Sequence, residues 1–166
     1  MSPVPQQKRW ASRQDYQTPP VFLHAARGTL GIADFAFDFA ASPENAVVDR
    51  FYTEADNALV QSWRVIGPAE WGWLNPPFNH IEPWVEKSFR ESSADGGPNV
   101  AVLVPASAGS NWWRDWVHGR AAVRFLNGRI QFVGAKDPYP KDCALLLYSL
   151  TLEPGYAVWT WPTKGA

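Results

Sequence analysis

An apolar run, Trp71 to Leu74, stops at Asn75-Pro76-Pro77, and no other stretch of this chain limits the fold as much. Two successive prolines remove two backbone donors and fix two φ angles, so the run cannot continue as a strand beyond Leu74. Ile81 to Arg90 then places Ile81, Trp84, Val85, Ser88 and Phe89 near helical spacing. The turn-forming Ser92-Ser93-Ala94-Asp95-Gly96-Gly97-Pro98 leads into a second apolar run, Val100 to Val104. This is a strand, helix, strand unit, and such units build parallel sheets with helices packed on them.

The rest of the chain extends that sheet. Thr18 ahead of Pro19 and Pro20 predicts a helix start capped by Thr18, continued by Val21 to Ala26 and stopped by Gly28 and Gly31. Phe35 to Phe39 alternates as a short strand. A helix is expected after Ser110 or Asn111, running through Trp112, Trp113, Trp116 and Val117 to Gly119. Val123 to Leu126, Arg129 to Val133, Leu145 to Leu150 and Ala157 to Trp161 read as strands. The expected fold is α/β: a mixed sheet, parallel in the middle and antiparallel at its C-terminal edge, with helices on both faces.

At 166 residues, 46% hydrophobic and 19% charged, the chain has enough apolar material for one core. Residues 1–14 are polar and without periodicity, which predicts a flexible N-terminal arm ahead of a single domain over residues 15–166. No apolar run approaches the roughly 18 residues of a membrane span, and MSPVPQQKRW lacks the apolar stretch of a signal peptide. The expectation is a cytoplasmic protein with no membrane partner. A lone Cys143 cannot make an internal disulfide and reads as packing. His24, His80 and His118 have no second ligand at metal spacing, so no metal is expected. The net charge of -1 hides an asymmetry: residues 1–100 carry 8 Lys and Arg against 12 Asp and Glu, residues 101–166 carry 7 against 4.

Asn75-Pro76-Pro77-Phe78 holds the most informative chemistry. It lies at the carboxyl end of a strand, where open α/β sheets bind ligands. The segment offers carbonyl acceptors, the Asn75 amide and the flat face of Phe78, a combination suited to a planar NH2 group. Alone, four such residues also serve as a strand terminator with Phe78 in the core, so context decides.

The segment resembles the (D/N/S)PP(Y/F/W) signature of S-adenosylmethionine-dependent N6-adenine methyltransferases. Gln17-Thr18-Pro19-Pro20, Phe37-Asp38-Phe39-Ala40-Ala41-Ser42, Phe51-Tyr52-Thr53 with Asp56-Asn57-Ala58-Leu59 and Trp63, and Phe125-Leu126-Asn127-Gly128-Arg129-Ile130-Gln131-Phe132 resemble the phage-type Dam family of DNA N6-adenine methyltransferases. Over about residues 15 to 150, their order and spacing carry the likeness. The resemblance implies a Rossmann-like class I methyltransferase sheet, S-adenosylmethionine as methyl donor, and DNA containing adenine as partner, in a host cytoplasm if phage-encoded.

By the same resemblance Asn75, Pro76, Pro77 and Phe78 hold the target base, and Thr18, Pro19, Asp38, Ala40 and Asp56 contact the cofactor. Ala40 and Ala41 stand where a glycine-rich motif is familiar, and Asp38 and Asp56 also suit capping. Asp34, Asp38, Glu44, Asp49, Glu54 and Asp56 oppose only Arg50 within residues 34–56, which suits a cationic ligand. Arg120, Arg124 and Arg129 are candidate phosphate contacts, with a structural role for Arg129 also open. Trp112, Trp113 and Trp116, at helical spacing, read as core. RNA or a protein glutamine also presents a planar NH2 acceptor, and an inert nucleic-acid-binding module is the reading from another class.

Overall fold

A computed structural model describes residues 16–161, so the expected arm over 1–14 lies outside the described residues. In chain order the elements are α1 (Pro20–Leu30), β1 (Phe37–Asp38), β2 (Trp71–Leu74), α2 (Glu82–Ser93), β3 (Asn99–Pro105), α3 (Asn111–Trp116), β4 (Ala122–Asn127), β5 (Cys143–Tyr148) and β6 (Gly155–Thr160). They form one six-stranded sheet in the order β1-β2-β3-β5-β4-β6.

Strands β1, β2 and β3 are parallel, as the strand, helix, strand pattern requires. The antiparallel strand sits inside the sheet, which corrects the expected antiparallel edge. β5 runs against both β3 and β4, whereas the edge strand β6 is parallel to β4. The last two strands follow each other closely and look like a hairpin in sequence, yet β4 separates them. The expected strand Arg129–Val133 is also corrected: its alternation is real, with Ile130 and Phe132 buried, but no neighbouring strand pairs with it. Its Val133 N–H instead donates to the Gln17 carbonyl at 3.0 Å, so the loop over residues 128–142 lies against the segment entering α1.

Each face of the sheet carries a core. Phe22, Leu23 and Ala26 of α1 pack with Trp73, Leu103 and Leu145 on one face; Val85 of α2 and Trp113 of α3 pack with Val102 and Leu146 on the other. The helices therefore cover both faces. The α1 start differs from expectation: Pro19 occupies the cap, no side chain caps the helix, and Thr18 is free for another partner. Gly72 is required by packing, because a Cβ there would run into the Phe39 ring, which stacks on Trp63 at 4.1 Å. That stack closes the face beneath the ends of β1 and β2.

Candidate active site

Parallel pairing aligns Asp38 with Trp73, so Asp38 and Asn75 stand at the carboxyl ends of neighbouring strands. Asp38 is 2% exposed. Its main chain is locked to residues 50–52: its N–H donates to the Arg50 carbonyl and its carbonyl accepts from Tyr52 N–H. Its carboxylate accepts from Ala40 N–H at 3.2 Å and Val47 N–H at 3.1 Å. The Asn45 side chain makes this possible, since its Oδ1 accepts from Ser42 N–H at 2.7 Å and turns the loop back toward β1. Burial pushes the Asp38 carboxyl from 3.8 up to about 7, against the lowering pull of the two backbone donors. Asp38 caps no helix but ties down its own loop, and this is compatible with its cleft position, since two N–H donors leave a carboxylate with acceptor capacity to spare.

Asn75 is oriented from the other side. Its Nδ2 donates to the Tyr16 carbonyl at 2.8 Å and to Thr18 Oγ1 at 3.3 Å. Thr18, Asp38, Ala40 and Asn75 line one open cleft together with Tyr16, Asn45, Val47 and Trp73. Sequence reading missed the last four. Tyr16 and Val47 contribute through the backbone, which side-chain chemistry does not reveal. Only the Ser42 to Asn45 spacing, typical of a side-chain-closed turn, signals Asn45.

Pro76 is buried and its carbonyl accepts no hydrogen bond among the described residues, while the Pro77 carbonyl accepts from His80 N–H at 3.2 Å. Phe78 is half-buried in an aromatic group, its centroid 5.4 Å from Tyr139, 6.1 Å from Phe132 and 6.5 Å from Tyr16. Pro19 is not among the residues lining the cleft and serves α1, its carbonyl accepting from Phe22 and Leu23. Asp56 also stands apart: exposed, it accepts from the Thr53 N–H and hydroxyl, which hold its carboxyl below the usual range.

The three candidate arginines are not together. Arg120 lies over Phe89 at 4.4 Å and Trp116 at 5.5 Å. The Trp116 carbonyl accepts from the hydroxyl of Tyr148, which pairs with Val100 at the amino end of β3. Arg120 is therefore at the end of the sheet opposite the cleft. Arg124 is half-buried midway along β4, and exposed Arg129, 3.7 Å from Asp142, follows the carboxyl end of β4. Cys143 is buried, and burial pushes its thiol up to about 12, consistent with packing. Trp113 is buried, and Trp112 and Trp116 pack on the same core. Among the described residues no group of three or more His, Cys, Asp or Glu could hold a metal ion, and no helix is long and apolar enough to cross a membrane.

The family model described as DNA N-6-adenine-methyltransferase (Dam) matches residues 6–147. A DNA N-6-adenine-methyltransferase of Escherichia phage T1 is 30% identical over 116 residues, 70% of this chain and 46% of that protein. One of Haemophilus phage HP1 is 25% identical over 119 residues, 71% of this chain and 65% of that protein. The match thus spans about half to two thirds of these relatives. No solved structure matches the chain.

Proposed function

The chain belongs to the DNA N-6-adenine-methyltransferase (Dam) family, and on that footing we propose that it transfers a methyl group from S-adenosylmethionine to N6 of an adenine in DNA, using a Rossmann-like sheet. The observation that carries this reading is that Asp38 and Asn75 line one cleft at the ends of adjacent parallel strands. The cleft suits the donor: Asp38 brings a buried carboxylate with unused lone pairs for an ammonium or hydroxyl group, and Ala40 leaves room for close approach. When bound, S-adenosylmethionine supplies a sulfonium methyl group for direct transfer.

The remaining work falls to the chain. The adenine N6 lone pair is delocalised into the ring, so activation has to come from orientation. Asn75 Oδ1 and the Pro76 carbonyl, both without a donor among the described residues, accept the two N6 hydrogens and favour pyramidalisation at nitrogen. Phe78 stacks on a base that has left the duplex. Neutral Asn75 takes up no proton, so the proton leaves N6 after transfer and passes to solvent.

The test follows labelled methyl groups from S-adenosylmethionine into DNA, RNA and protein offered to the wild type and to Asn75→Ala. DNA is expected to be labelled by the wild type alone, and loss of one such acceptor lowers kcat by about 10²- to 10³-fold. Label in RNA or protein instead would transfer the same site to another planar amine, and label nowhere would favour the inert module.

A further inference from the structure

Only the oxygen of the Asn75 amide can accept hydrogens from a planar amine, so the direction of that amide matters as much as its presence. Two neighbours set it. The Tyr16 carbonyl can only accept, and it sits 2.8 Å from Asn75 Nδ2. With the amide reversed, two oxygens would meet there lone pair against lone pair. Thr18 Oγ1 takes the same NH2 group at 3.3 Å, and no donor among the described residues reaches Oδ1. Resting on the reading that Asn75 accepts the hydrogens of the target amine, we infer that Tyr16 and Thr18 are positioning residues, a clamp that holds the Asn75 oxygen toward the substrate.

The clamp is itself held. Thr18 is 4% exposed. The Gln17 carbonyl accepts from Val133 N–H at 3.0 Å, and the Tyr16 ring stacks on Phe132 at 4.9 Å. The loop over residues 128–142 therefore fixes the backbone that fixes Asn75. Asp is allowed at the first position of the (D/N/S)PP(Y/F/W) signature, yet here it conflicts with the Tyr16 carbonyl. The Thr18 hydroxyl can turn and donate to a carboxylate, but the Tyr16 carbonyl cannot. A protonated Asp could donate its O–H to Tyr16 and keep its carbonyl oxygen toward the amine.

Methyl transfer by Asn75→Asp, Asn75→Ala, Thr18→Val and Thr18→Ser is compared with wild type from about pH 5.5 to about pH 8.5, at saturating cofactor, with cofactor affinity read by calorimetry. The ratio of Asn75→Asp to wild-type activity is expected to rise as pH falls, by up to about tenfold per unit while the carboxyl is mostly ionised. Thr18→Val is expected to lower kcat with cofactor affinity and DNA KM retained, and Thr18→Ser to restore it. A flat ratio, or a Thr18→Val that loses cofactor affinity and keeps kcat, overturns the clamp. If Asn75→Ala is inactive in that case, its acceptor role stands; an active Asn75→Ala removes the underlying reading as well.

Discussion

Asp38 and Asn75 face one cleft but are held by opposite means, and each makes a separable prediction. Asn75→Ala leaves Asp38 and its two backbone donors in place, so methyl transfer is expected to collapse while calorimetric cofactor affinity stays near wild type. Asp38 works against the fold it helps to build. Its carboxyl titrates at about 7 rather than 3.8, so the folded state binds the proton more tightly than the unfolded state. Stability is then greatest below the unfolded value, declines as pH rises from about 4 to about 7, and is level above. A shift of about three units corresponds to on the order of 4 kcal/mol. Denaturant unfolding at acid and alkaline pH should show this decline in wild type and lose most of it in Asp38→Asn. Cofactor binding should show the reverse sign, with affinity rising through pH 7 as the carboxylate forms to meet a cationic ligand. An Asp38→Asn variant with unchanged affinity and pH dependence would remove Asp38 from the cofactor site.

The elements that position the cleft are short, and their sequence tolerance is correspondingly uneven. Gly72→Ala would press a Cβ into the Phe39 ring beside its stack on Trp63, with an expected loss of about 1–3 kcal/mol in unfolding free energy. A Phe39→Leu partner, which removes the obstructing ring edge, should make Gly72→Ala less harmful in a double-mutant cycle. The sequence disclosed β2 to the residue because prolines and an aromatic run bound Trp71–Leu74 sharply. It misread 129–133 because alternation records which side chains are buried, whether the covering partner is a strand or, as here, a chain entering a helix. β1 is shorter than its alternating pattern for a related reason: only Phe37 and Asp38 meet β2 in register, although Phe35 and Phe39 are buried beside them. At the site, Asn75 was legible from its place after a strand and before two prolines, whereas Thr18, Asp38 and Ala40 were reached only through the resemblance of their segments to the Dam family. The Tyr16 carbonyl and the Val47 amide were not, since every residue type except proline carries the same two backbone groups.

At the scale of the whole molecule, the sheet has two ends, and charge at one end cannot serve a site at the other. The cleft lies beyond the carboxyl ends of β1 and β2, and the loop over residues 128–142 brings exposed Arg129, Lys136 and Lys141 to that same end, with Lys141 just ahead of the Cys143 to Pro105 pairing. Arg120 lies at the other end, with its guanidinium over Phe89 and Trp116. The sequence groups Arg120, Arg124 and Arg129 as candidate phosphate contacts, whereas the fold separates Arg120 from the cleft and half-buries Arg124. Asp137 and Asp142 share the loop with its three cations, so the local positive field is modest and a shallow salt dependence is expected for DNA binding. Removing one cation from a DNA phosphate should reduce the slope of log affinity against log salt by about 0.9. Joint replacement of Arg129, Lys136 and Lys141 by Ala is expected to flatten that slope without weakening cofactor binding, since none of them lines the cleft. Arg120→Ala is expected to leave the slope alone and to cost stability through the loss of its aromatic packing. If Arg120→Ala flattens the slope and the triple replacement does not, the strand lies across the amino ends of β1, β2 and β3, too far from Asn75 for the base to reach it, and the assignment of Asn75 and Phe78 as the base site falls with the surface.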